Sequence, residues 1–409
     1  PTVAGGSGQL SRSVKRSMVC ANQTQNILKL LLCTTSCAHA ATGAGRFAQA
    51  VIGLEKSRPD IQIAVVSEDV THHPEGRRFR IELPGRQVGY ATKSRYYAQM
   101  VGQVVDALSI DVILFNNAWL GSAWLRDTGQ TPAVVGSVRD DNAVHAFDNT
   151  LRAIPGMLER KRLEQAACRK LNYLLTNTAY LAEALTTHYR IDRAKISVIH
   201  PVYQDYASMP QQPDALPGDA PIRVLFAKHD YHRGGLHLLI KALATLRDRQ
   251  FHLTVAGPDP RVIRRKFGKQ LHDLNHVQVQ LCGPVYDLDA MGRLMAGHHV
   301  YCVPAKREAF GVAAIEALCC GLRVIYHPVG GVPEALSNFA FPVEEWSAAS
   351  TRQALVQAIG TNEQAFHAMK EQGRDWAARH FSRDRMLEQL SAFLDRVYNL
   401  TSNPQSRTA

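Results

Sequence analysis

The sequence predicts an α/β protein built from two parallel-sheet domains, and three observations carry that prediction. From residue 27 to residue 400, short apolar runs ending in Gly, Pro or polar residues alternate with longer stretches of helical spacing. At 409 residues, 45% hydrophobic and 20% charged, the chain is long enough to bury two cores. QDYASMPQQPDALPGDAP at 204–221 gathers Pro and Gly as a linker between similar halves does. The expected division is an N-terminal extension at 1–26, a first domain at 27–203, the linker at 204–221 and a second domain at 222–383.

The first half opens with ILKLLLCTTSCAHAATGAGRFAQAVIGL at 27–54. It reads as a strand, a loop carrying Gly43 and Gly45, and a helix whose amino terminus offers backbone N–H groups to a phosphate or an acceptor. A secretory signal is the rival reading, because Arg12, Lys15 and Arg16 precede the apolar run and Ala38-His39-Ala40 follows it. Thr34, Thr35 and Ser36 interrupt the apolar core and favour the strand. QIAVVSED at 62–69, the run at 110–117 and PAVVGSVRDD at 132–141 read as further parallel strands with polar residues at their carboxyl ends, where open α/β sheets bind ligands. The last delivers Arg139, Asp140 and Asp141, with His145 four residues on, either a substrate contact or a structural histidine. LNYLLTNTAYLAEAL at 171–185 and ISVIHPV at 196–202 complete the domain.

In the second half, RVLFAKHDYHRGGLHLLIKAL at 223–243 gives a strand, a loop with Lys228 and Arg233, and an amphipathic helix. Two cations five residues apart at a strand end form a natural diphosphate clamp. FHLTVAGP at 251–258 and VQVQLCGPV at 277–285 read as strands ending in Gly-Pro turns. HHVYCVP at 298–304 is another strand, followed by a loop with Glu308, Phe310 and Gly311. A helix through Val312, Ile315, Ala317 and Leu318 comes next, closed by Gly321. RVIYHPV at 323–329 is the next strand, and Gly330-Gly331 gives a backbone suited to close approach of a ligand. Glu308 and Glu316 are so placed that both face one crevice, where carboxylates accept sugar hydroxyls; the alternative is a solvated glutamate face. FSRDRMLEQLSAFLDRVYNL at 381–400 reads as a long amphipathic helix.

The segment at 304–335 is similar to the E-x7-E signature of retaining glycosyltransferases of family 4, which have the GT-B fold. That resemblance implies two Rossmann-like domains facing each other across a cleft, with the helix at 384–400 crossing back to the first domain. It implies that Glu308 contacts the donor sugar, Phe310 and Gly311 offer backbone amides to it, and Glu316 binds the ribose. Gly330, Gly331 and Glu334 match the family's Gly-Gly-x-x-Glu near the diphosphate; Gly43 and Gly45 match its glycine loop near the transferred phosphates. Gly283 and Val285 match the strand end that meets the nucleobase through its backbone. Lys228 and Arg233 stand in the reverse of the family's Arg-then-Lys order, so charge is kept while phosphate geometry is rearranged. Asp140 takes part of the place of a His-Asp pair, with His145 as a substitute.

The activity so implied is transfer of a hexose-type sugar from a UDP- or GDP-sugar to a glycan or glycolipid acceptor, in cell-surface polysaccharide or lipopolysaccharide biosynthesis. Configuration is retained through a front-face process in which the leaving diphosphate helps to remove the acceptor's proton. No cofactor and no metal are expected: Asp287-Leu288-Asp289 has the DxD pattern but follows the base-binding strand and reads as a helix cap. An epimerase or hydrolase of the same fold would need acid and base carboxylates in the cleft. An inactive module binding a nucleotide sugar or an anionic partner is the reading the swapped clamp leaves open.

Lys plus Arg exceed Asp plus Glu by 47 to 36, giving a net charge of +11 and a pI near 9.3. Basic residues are dense at 75–97 and 151–170, and Arg261, Arg264, Arg265 and Lys266 form another cluster. An anionic membrane surface or phosphate-bearing acceptor, a solvated face, and nucleic acid are the three readings, the last the weakest. The eight cysteines suggest no disulfide framework and no C-x2-C zinc site. The expected setting is the cytoplasm, with any membrane contact peripheral on the inner face, since no apolar stretch reaches the roughly 20 residues that span a bilayer.

Overall fold

The computed structural model describes residues 27–402 apart from 39–42, 70–73, 75, 86–87, 129–131, 149–152, 207 and 210–213. The extension expected at 1–26 lies outside the described residues, as do His39 and Ala40 of the alternative cleavage site.

The first sheet has seven parallel strands: β1 (Leu28–Thr34), β2 (Ile61–Ser67), β3 (Arg78–Arg80), β4 (Val112–Phe115), β5 (Ala133–Val138), β6 (Tyr173–Thr176) and β7 (Ile196–Val198), in the order β3-β2-β1-β4-β5-β6-β7. The second has six: β8 (Ile222–Ala227), β9 (Phe251–Ala256), β10 (Val277–Gly283), β11 (Val300–Val303), β12 (Arg323–Tyr326) and β13 (Phe341–Pro342), in the order β10-β9-β8-β11-β12-β13. The central strands are almost wholly apolar because helices cover both faces of each sheet. The strand order reverses between β1 and β4 and again between β8 and β11. Such switch points open a crevice beyond the strands' carboxyl ends. The loops after β1, β8 and β11 carry Gly43, Lys228 and Glu308 to these two points.

Two cores flank the first sheet and one large core fills the second domain. The helix Val312–Cys319 ends in paired bonds from Leu322 N to Ala317 O (3.0 Å) and from Gly321 N to Leu318 O (2.9 Å), the Schellman pattern. The linker is fastened to the second domain, since Asp214 accepts from Lys370 Nζ at 2.6 and 2.8 Å and lies 2.6 Å from His367 Nδ1.

The chain returns to the first domain at its end. The helix Glu363–Phe381 finishes in the second core, Ser382 is extended (φ −63°, ψ 156°), and the helix Arg383–Ser402 begins. The long helix expected over 381–400 thus runs over Arg383–Ser402, and the Ser382 hydroxyl accepts from Arg385 N at 3.3 Å and caps it. That helix packs Met386, Leu390, Phe393, Leu394 and Val397 against Leu30, Leu32, Phe47 and Val51. None of the helices among the described residues is long and apolar enough to cross a membrane.

Candidate functional site

Three adjoining cavities run along the cleft between the domains. The largest of them, about 360 Å³, is walled by Gly43, Arg139, Asp140 and Asn177 on one side and by Lys228, Tyr301, Glu308, Phe310 and Gly311 on the other. A second of about 210 Å³ is bounded by Lys228, Gly257, Val285, Glu316 and Arg46, and a third of about 160 Å³ by Gly43, Arg46, Phe47, Val312 and Glu316.

Lys228 leaves the end of β8 and donates to the Glu308 carboxylate on the loop after β11. Burial works against ionisation of Glu308, but Lys228, the charge of Arg233 and the Phe310 N–H outweigh it and hold its pKa below the usual glutamate value. Glu316, 2% exposed, moves the other way. Burial raises it, although Arg46 donates to its carboxylate and Gln204 N reaches it at 2.9 Å. Two carboxylates at one cleft thus have opposed proton affinities, set by how well each is compensated.

Polar ties from both domains lace the cleft. Besides Arg46 to Glu316, Arg233 Nη1 donates to Asn142 Oδ1 at 2.6 Å, and Arg307 lies 3.4 Å from Asp141. Glu334 accepts from Ala179 N at 2.9 Å and lies 2.6 Å from His200 Nε2.

The cavities do not bring together all the expected residues. Gly43 and Val285 line them, whereas Gly45 is buried within the helix Gly43–Ile52. Gly283 is occupied internally, its carbonyl accepting from Gly257 N at 2.7 Å. Gly330 and Gly331 face the Glu308 loop: a Cβ at Gly330 would stand 1.8 Å from Glu308 O, and one at Gly331 2.2 Å from Ala309 O. Their close approach is to that loop's backbone, which they hold in place. Asp140 lines the main cavity, but its carboxylate accepts from Arg160 at 2.8 Å and from Asn142 N at 3.0 Å. His145 stands back from the cavities, with Nε2 3.1 Å from the Tyr180 hydroxyl. Asp287 caps the helix Leu288–Ala296, accepting from Ala290 N at 2.7 Å. No group of three His, Cys, Asp or Glu side chains is arranged to hold a metal ion among the described residues.

Arg46, Asn142, Asn177, Tyr301 and Arg307 are among the cleft residues that sequence reasoning missed. Arg46 follows the glycine loop directly and Arg307 precedes Glu308, so position next to a recognised motif was the available signal.

Residues 211–376 match the family model described as Glycosyl transferases group 1. Among curated proteins, the chain is similar to the phosphatidylinositol N-acetylglucosaminyltransferase gpi3 subunit of Schizosaccharomyces pombe, 33% identical over 121 residues, which are 28% of this chain and 26% of that protein. The chain spans between 26% and 47% of the length of the first curated relatives it matches. Among solved structures, sucrose-phosphate synthase from Thermosynechococcus elongatus superposes with a TM-score of 0.72 at 19% identity, over 91% of this chain and 99% of that one. HepE of Anabaena in complex with UDP-glucose gives a TM-score of 0.67 at 16% identity, over 90% and 100% of the two chains. These likenesses establish the fold as two Rossmann-like domains of the GT-B type.

Proposed function

We propose that this chain, whose residues 211–376 are a Glycosyl transferases group 1 domain, is a glycosyltransferase that moves a hexose-type sugar from a nucleoside diphosphate sugar to a glycan or lipid-linked acceptor. The observation that carries the reading is the meeting of Lys228 and Glu308, from two neighbouring strand ends, on one wall of a cavity of about 360 Å³ between the domains. In this reading the nucleotide occupies the cavity of about 210 Å³ beside Val285, with its ribose on Glu316, and the sugar enters the main cavity beside Glu308, Phe310 and Gly311. Lys228 and Arg233 then face the diphosphate and stabilise the charge that develops as it departs.

The finer parts of the reading are family 4 membership, retention of configuration, and a reaction without a metal or other cofactor. The E-x7-E spacing of Glu308 and Glu316 supports the first two. The engagement of Asp287 as a helix cap supports the third, since it takes the DxD-like segment out of consideration as a metal site. HepE was solved with UDP-glucose, which makes UDP-sugars the first donors to try ahead of GDP-sugars.

Calorimetric titration with UDP, GDP, ADP and their sugar conjugates tests the reading. One base should be selected, and Glu316→Ala should weaken that nucleotide; equal affinity in the variant would remove Glu316 from the ribose site. The anomer of the product, read by NMR, tests retention. We also place the protein at the inner face of an anionic membrane, on the exposed Arg78, Arg80 and Arg95 of the first domain and Arg261, Arg264, Arg265 and Lys266 of the second. Binding to phosphatidylserine vesicles should weaken with salt.

A further inference from the structure

Most cations of the cleft are matched inside the protein: Lys228 by Glu308, Arg46 by Glu316, Arg307 by Asp141 and Arg160 by Asp140. Arg139, at the carboxyl end of β5, is different. It is 8% exposed and its guanidinium stacks 3.8 Å from the Phe47 ring centroid. Nη1 has only a long bond of 3.5 Å to Ser137 Oγ, and Nη2 is buried without a hydrogen-bond partner. The adjoining carboxylates of Asp140 and Asp141 are committed to Arg160 and Arg307. Arg139 therefore has no carboxylate partner among the described residues, and it lines the main cavity. Burial pulls its pKa down to about 9, which still leaves it charged at neutral pH.

Asn177, 6% exposed, lines the same cavity. Its Nδ2 donates to Arg139 O at 3.0 Å, while its Oδ1 is buried with nothing donating to it. A buried cation and a buried acceptor that line one cavity, both unsatisfied, are costly unless a ligand completes them. Neutral sugar hydroxyls satisfy Asn177 and leave the charge of Arg139 unmatched.

We propose that Arg139 and Asn177 form a recognition site for an anionic substituent, a carboxylate or a phosphate, on a sugar bound in the main cavity. The anion takes Nη2 of Arg139 and a neighbouring hydroxyl donates to Asn177 Oδ1. The inference rests on the transferase reading and narrows its substrate class. The substituent has two sources, a uronate on the donor sugar or a phosphate on the acceptor.

Calorimetry on the full chain separates them. The unmodified protein is titrated with UDP and GDP. The base that binds is then compared as UDP-glucose against UDP-glucuronate, or as GDP-mannose against GDP-mannuronate. With that nucleotide saturating, glucose 6-phosphate is compared with glucose. A charge-assisted contact in a buried site should favour the anionic member of one pair by about tenfold to a hundredfold. Preference within the donor pair identifies a uronate; preference within the second pair identifies an acceptor phosphate. Arg139→Gln should bring the preference towards unity and Arg139→Lys should keep part of it. The comparison in unmodified protein decides the matter even where Arg139→Gln does not fold. Nucleotide binding with no preference in either pair, or a preference untouched by Arg139→Gln, overturns the inference and leaves the transferase reading standing. Failure of both nucleotides to bind overturns the two together.

Discussion

Arg46 of the first domain and Glu316 of the second form an ion pair across the cleft, and the same carboxylate accepts from Gln204 N at 2.9 Å. The tie places the helix Gly43–Ile52 against the helix Val312–Cys319 of the second domain. Replacing Arg46 by Met leaves a buried carboxylate short of its cation, at a cost of about 1–3 kcal/mol. Thermal melts should register that loss, and Glu316 should titrate higher than in the parent; an unchanged melt would assign the pair no energetic weight.

Lys228 donates to Glu308, and the proposed reaction gives it a second partner in the departing diphosphate. Lys228→Ala should lower kcat by about 10²–10³-fold, the range found when one preorganised electrostatic donor is removed. Lys228→Arg keeps the charge and should fall between. Equal turnover by Lys228→Ala and the parent would take Lys228 out of the reaction.

His298 sits between Leu294 O at 2.6 Å and the Thr254 hydroxyl at 2.8 Å, two residues before β11. Burial lowers its pKa from 6.5 to about 4. The folded state therefore binds fewer protons than the unfolded one, so the stabilisation is complete above pH 6.5 and is lost as pH falls towards 4. The amount is on the order of 3 kcal/mol. Burial lowers the neighbouring His299 to about 4 as well, so chemical denaturation across that window should show a decline that His298→Gln reduces by about half.

Gly330 has φ +61° and no room for a Cβ beside Glu308 O. Gly330→Ala should destabilise the second domain by about 1–3 kcal/mol and displace Glu308 from Lys228. Denaturant melts measure the first effect. Weakened binding of a sugar nucleotide, with that of the free nucleoside diphosphate retained, measures the second.

Leu390 belongs to the last helix of the chain but is wholly buried in the core under the first sheet. Leu390→Ala should cost about 2–5 kcal/mol. Hydrogen exchange should place the loss in β1 and β2, far away in sequence, and not in the helix Glu363–Phe381 that immediately precedes it.

The loops that build the cleft were legible because each follows its own strand: Lys228 after β8, Glu308 after β11 and Gly43 after β1 announce themselves locally. Arg46 and Glu316 stand 270 positions apart, and neither neighbourhood names the other. Gly330-Gly331 has the same appearance whether a ligand or a backbone comes close, and here the Glu308 loop is the neighbour. The basic stretch at 151–170 likewise conceals its directions. Arg160 turns inward to Asp140 and Glu164, and Lys161 donates to Val144 O at 3.0 Å, so part of an outwardly cationic run serves the interior. The start of the last helix was legible to within two residues, at Arg383 against the expected 381.

The chain passes between the domains near Gln204 and again at Ser382, and both passages border one space of about 500 Å³, with Tyr203 and Asp205 on one side and Ala378 and Arg383 on the other. Two covalent crossings side by side behave like paired hinges on a door. Widening or narrowing of the cleft is then a swing about one line, and the tie of Glu334 to Ala179 and His200 lies beside that line, since the His200 ring packs 5.2 Å from that of Phe381. Such a pair of crossings favours a hinge-like swing over sliding between the halves.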